Sequence, residues 1–272
     1  MESALYPQNK LSHKLYAIIN ATVLGIVIWW NYYSNTGNIG GKTVGELSAE
    51  YANYFTPAGY AFSIWGIIYL ALIFQAIYIL RAAFNPKMDG DFISQMGPYL
   101  IIANIFNAGW LWFWLTENTG LSVVAMIGIL FCLLIVILGL GMNVRNTSPQ
   151  IRWLVRTPIS IYAGWITVAT VANVSAYLAK IGWGGFGIDE ITWTVIMMAI
   201  AALVNISVAF LRRLYAYPLV GVWALVAIAN RHAGSEGLLH GTALICASVI
   251  VLALGFQFLK KAMDDRKRAL VG

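Results

Sequence analysis

Eight uncharged, mostly apolar stretches run along the chain, over residues 15–41, 51–80, 92–116, 118–144, 157–179, 191–211, 214–230 and 237–259. All 11 carboxylates lie outside them. A hydrocarbon core about 30 Å thick needs about 20 helical residues to cross it. Lipid leaves an isolated apolar run no other way to satisfy its backbone. The pattern therefore predicts an all-α polytopic transmembrane helix bundle of eight helices. Its membrane depth carries no formal charge, as the cost of burying an ion there requires.

Breakers agree with these limits. Pro57, Pro98 and Pro218 fall near span starts, where a missing N–H costs little. Pro158 lies deeper in span five and is expected to kink it. Glu117-Asn118-Thr119-Gly120 and Arg212-Arg213 read as tight hairpins. Residues 35–58 and the Gly-rich run 182–187 read as longer links, the second an interfacial turn.

Composition sharpens the membrane assignment. Of 272 residues, 60% are hydrophobic and only 10% charged, too few charges to cover a soluble surface. The inter-helix segments alternate in basic content. Lys10, Lys14, Arg81, Lys87, Arg145, Arg152, Arg156, Arg212, Arg213, Lys260, Lys261, Arg266, Lys267 and Arg268 fall in one set, and Lys42, Lys180 and Arg231 in the other. Cytoplasmic loops retain the Lys and Arg excess. Both termini are thus expected in the cytoplasm, with the protein integral to the cell (plasma) membrane. The basic tail 260–268 reads as an anchor at an anionic surface and not as a nucleic-acid site. Cys132 and Cys246 lie inside different spans and read as small apolar groups. The first span, after Lys14, reads as a retained signal anchor.

Catalytic chemistry finds little support. His13, His232 and His240 show no metal-ligand spacing with another His, Cys or carboxylate. His232 and His240 read as solvated. The spans hold no paired carboxylates for acid–base work and no lysine for a Schiff base. No catalytic residue and no metal ligand is assigned, and the chain reads as a binder before an enzyme.

What the spans do hold is aromatic and amide stripes. Phe62, Trp65 and Tyr69 share one helical face at i, i+3 and i+7. Asn107, Trp110 and Trp114 repeat that spacing, and Trp165, Thr170 and Asn173 align roughly in span five. From spacing alone, interhelical hydrogen bonding and interfacial belts explain these groups better than a ligand pocket does. Trp29, Trp30, Trp112, Trp183, Trp193 and Trp223 need no more than a belt. Asn205 and Ser207 on span six read as bonded to a neighbouring helix.

Three segments then carry a resemblance. Residues 56–69, Thr-Pro-Ala-Gly-Tyr-Ala-Phe-Ser-Ile-Trp-Gly-Ile-Ile-Tyr, resemble the start of the second helix in the translocator protein family (TspO, tryptophan-rich sensory proteins). The pattern there is Pro-Pro-Gly, then Phe, Trp and Tyr. Residues 107–114 resemble the family's Asn- and Trp-rich third helix, and residues 165–173 its Trp, Ala-Thr, Asn fifth helix. Thr56 replaces the first proline, and Phe62 precedes Trp65 by three positions instead of four.

The resemblance implies a five-helix unit over 1–183, enclosing a pocket open near the first loop. A three-helix extension with the basic tail would occupy 184–272, without a counterpart in the family. It also implies ligand contact by Pro57, Gly59, Phe62, Trp65, Tyr69, Asn107, Trp110, Trp114, Trp165 and Asn173. Gly59 would let the loop approach closely, the indoles would stack on a planar ring, and the amides would orient it. The ligand class would be a flat apolar molecule, a tetrapyrrole such as porphyrin or haem, or a sterol. No cofactor is required; a porphyrin or haem would be bound as ligand. The lipid bilayer is the other expected partner, and the extension could supply a homodimer face. The role would be sensory or transport. A small-solute secondary carrier is the alternative, and a porphyrin-degrading membrane enzyme comes third.

Overall fold

The computed structural model describes residues 10–142, 147–212 and 214–271. Glu2, Arg145 and Arg213 lie outside them, as do the side chains of Lys10, Lys261 and residues 264–271. Each apolar stretch contains most of one long helix. These are α1 (Lys10–Tyr33), α2 (Ile64–Phe84), α3 (Tyr99–Leu115), α4 (Thr119–Gly139), α5 (Thr157–Lys180), α6 (Glu190–Arg212), α7 (Ala216–His232) and α8 (Gly237–Val271). Among the described residues, six helical stretches are long and apolar enough to cross a membrane, and the apolar α3 falls just short at 17 residues. Their outward faces stay apolar, as lipid contact allows: Leu70, Ile127, Phe131 and Leu252 are all exposed.

Two starts differ from expectation. The stretch from 92 is cut at Gly97-Pro98, giving a short helix Asp91–Met96 before α3. Gly97 has φ +54°, where L residues are rarely found, and Pro98 offers no N–H to continue a helix. The stretch from 51 enters α2 only at Ile64, after a 3₁₀ turn at Gly59–Ser63.

Pro158 does disturb span five, but by widening a turn. A π-helical segment, Arg152–Arg156, runs directly into α5, and the Thr157 N–H reaches back five residues to the Arg152 carbonyl. Proline strips its own N–H from the ladder, and a π-turn takes up the slack without ending the helix. Gln75, 1% exposed, donates to the Val155 carbonyl there at 2.9 Å.

The chain forms two compact units. The first comprises 1–44 and 64–159, and the second 45–63 and 160–272. This division cuts the chain differently from a boundary at 183. In the first unit α1 packs on α2 and α3, and α3 lies along α4. In the second, α7 and α8 pair, and α6 packs on both. Small residues set these distances: a Cβ on Gly221 of α7 would strike the Asn205 carboxamide of α6 at 2.6 Å or less. Asn205 spends its N–H on Ala201 of its own helix, and Ser207 is exposed, so neither bonds across as expected.

Asp189 caps α6. Its carboxylate accepts from the Thr192 N–H at 2.9 Å and the Thr192 hydroxyl at 2.7 Å. The hydroxyl bond first, then the backbone bond, holds this carboxyl below its usual range. A value lower in the folded state means the cap is at full strength above the ordinary carboxylate range. It is lost as pH falls through the lowered value. Protection of the Thr192 amide, its exchange rate taken relative to the intrinsic rate at each pH, is therefore expected to fall in acid, and Asp189→Ala to remove that acid step.

Candidate functional site

The ten residues singled out in the sequence divide evenly: five lie in each compact unit. In the first unit, four of them make one buried cluster. Trp65 stacks on Tyr69, one turn along α2, with centroids 5.5 Å apart, and on Trp110 of α3 at 5.8 Å. The Tyr69 hydroxyl donates to the Asn107 carboxamide oxygen at 3.2 Å. Asn107 is fully buried, and Trp65, Tyr69 and Trp110 are at most 8% exposed. Trp114, two turns from Asn107, is buried as well; its indole N–H points to the Val44 carbonyl at 3.4 Å.

Helical spacing explains this half of the site. Residues 107, 110 and 114 lie on one face of α3, and 65 and 69 on one face of α2. Asn104, one turn before Asn107, belongs to the same face and was not singled out. It is 2% exposed, and its side-chain oxygen has no hydrogen-bond partner among the described residues. Its i−3 spacing from Asn107 was the available signal.

In the second unit, Phe62 meets Trp165 edge to face, with centroids 6.1 Å apart and planes at 81°. Trp165 and Asn173 are buried on α5. Pro57 is buried and Gly59 exposed. The expected stripe of Phe62, Trp65 and Tyr69 is thus broken, because Phe62 sits in the 3₁₀ turn before α2 begins. Thr170 is spent on its own helix, donating to the Ile166 carbonyl at 2.6 Å. A Cβ at Gly59 would meet no protein atom within 4 Å.

Two further expectations fail in instructive ways. His232 is buried, not solvated, and its Nε2 lies 2.8 Å from the Tyr54 carbonyl. Trp223 is half-buried, and its indole N–H donates to the Ala61 carbonyl at 3.2 Å, a bond that a belt position alone does not require. Trp29 and Trp112, 59% and 49% exposed, do fit an interfacial belt.

The ring and hydrogen-bond contacts of these two groups described above join indole, phenyl, phenol and amide side chains. The ion pair Lys42–Glu117 (3.8 Å) lies in loops, with both side chains well exposed. Among the described residues, no group of three or more His, Cys, Asp or Glu side chains could hold a metal. A narrow cavity in the first unit, with Tyr16, Asn20, Ile79 and Leu100 in its wall, is lined by none of the ten residues.

Apolar helices with buried indole–amide clusters define a polytopic α-helical membrane protein. A family model described as TSPO-like protein matches residues 17–256, and the chain belongs to that family. The match continues through α6, α7 and most of α8, so the family pattern reaches past residue 183. Neither the curated proteins nor the solved structures offer a match to this chain.

Proposed function

We propose that this protein binds a flat apolar ligand, a tetrapyrrole or a sterol-like molecule, in a sensory or transport role. The observation that carries the reading is the buried stack of Trp65 on Trp110 and Tyr69, with the Tyr69 hydroxyl held by Asn107. Indole faces stack equally well on a planar ligand. An uncharged, apolar wall with a few fixed polar groups is what a flat, weakly polar molecule needs. Pro57, Gly59, Phe62, Trp114, Trp165 and Asn173 are the remaining candidate contacts.

Protoporphyrin IX titrated into the purified protein is expected to quench tryptophan fluorescence saturably. Trp65→Phe, Trp110→Phe and Trp165→Phe should each weaken binding about twofold to tenfold, the worth of one aromatic contact. Unchanged affinity in all three variants would falsify the assigned residues. Saturable uptake into proteoliposomes would mark transport. Binding without uptake would mark sensing.

A further inference from the structure

The segment that carries Pro57 and Gly59 has little regular structure of its own. Asn53 accepts from the Phe55 N–H and Thr56 from the Asn53 N–H, which turns the chain at 53–56. A five-residue 3₁₀ turn follows at Gly59–Ser63. Outside the segment itself, its polar contacts among the described residues run to one helix. The Tyr54 carbonyl meets His232 at 2.8 Å, and the Ala58 N–H donates to the Ala227 carbonyl at 3.1 Å. The Tyr60 hydroxyl accepts from Asn230 at 2.8 Å, and the Ala61 carbonyl from Trp223 at 3.2 Å. Tyr60 also sets its ring edge-on to Trp223, with centroids 5.3 Å apart.

The partners form a pattern. Trp223, Ala227 and Asn230 fall at i, i+4 and i+7, one face of α7, with His232 at its end. The segment runs antiparallel to the helix along that face. Ala227 is fully buried, and its single methyl lets a backbone N–H reach a carbonyl inside the helix. Pro57 and Gly59 lie between the anchor points at Tyr54 and Ala61.

We propose that α7 is a latch: Trp223, Asn230 and His232 are positioning residues that hold segment 54–61 in place and set how often the buried Thr56 and Pro57 become accessible. Neither Trp223 nor Asn230 touches the aromatic clusters of the candidate site by any contact described above. They act through the segment. A strap held by a few hydrogen bonds opens locally without global unfolding. Resting on the ligand reading, the latch also sets the rates at which a planar ligand enters and leaves.

The test uses the full chain in nanodiscs. Trp223→Phe keeps a ring at the edge contact and removes the N–H, and Asn230→Ala removes the bond to Tyr60. Together they should speed amide exchange across 54–61 about tenfold. Thiol labelling at Thr56→Cys, a position 4% exposed in the wild type, should rise in step, since the native Cys132 and Cys246 are buried. His240→Ala, which removes a contact to Ala229 on α7 but none to the segment, should leave both unchanged. With protoporphyrin IX as probe, association and dissociation should both quicken in the double variant, with affinity nearly kept. Unchanged exchange and labelling overturn the latch. Faster exchange with unaltered probe kinetics overturns its control of entry. A wild-type protein that binds no protoporphyrin IX counts against the ligand reading, and the latch is then decided by exchange and labelling.

Discussion

Gly164→Leu is expected to cost the second unit about 3 kcal/mol, as overpacking an unyielding contact does. A Cβ at Gly164 would stand 2.7 Å from the Tyr217 carbonyl oxygen and 3.2 Å from both the Tyr217 Cα and the Val220 Cβ. None of these atoms can rotate aside, so α5 and α7 must separate. One turn along, the Thr167 and Tyr217 hydroxyls share a hydrogen bond at 2.6 Å that the separation would also break. Trp165, next to Gly164, would be drawn from its contact with Phe62. The measurement is unfolding in mild detergent by added denaturing surfactant, followed by circular dichroism. Gly241→Ala on α8 is the control, because a Cβ there meets nothing within 4 Å. That variant should match the wild type or exceed it slightly. A Gly164→Leu protein as stable as the control would mean that the helices do not cross this closely.

The eight helices were legible because charge exclusion and span length are strong constraints in lipid. The indole–amide cluster on α2 and α3 was legible for a related reason: side chains at i, i+3 and i+7 must share a face once the segment is helical. The strap on α7 was not. Its acceptors are the carbonyls of Tyr54, Ala61 and Ala227, which every residue type carries, so no side-chain pattern marks them. Trp223 looks like any belt tryptophan until its N–H is seen on Ala61. The break at Gly97-Pro98 was hidden by an uncharged stretch that continued across it. Phe62 was misplaced with α2 because a 3₁₀ turn and an α-helix look alike over five residues. Local sequence therefore reported which faces are buried. It was silent where one backbone meets another.

Trp110→Ala should be the most damaging single change in the first unit, about 3–5 kcal/mol for loss of a fully packed large ring. Trp110 is 5% exposed and stacks on Trp65, so its removal opens a hole at membrane depth that lipid cannot readily fill. Trp29→Ala sets the baseline, because Trp29 is 59% exposed and loses only a belt contact. Trp110→Phe separates packing from recognition: most of the volume stays while the indole is lost. It should therefore keep most of the stability while weakening protoporphyrin IX. A double-mutant cycle of Trp65→Phe and Trp110→Phe should give a coupling of about 1 kcal/mol if the rings support each other. Surfactant-induced unfolding reads the stabilities, and fluorescence titration reads the affinities. If Trp110→Ala unfolds no earlier than Trp29→Ala, the ring is not part of a packed core. The stack would then be a chance juxtaposition of two belt residues, and no planar ligand could be expected to use it.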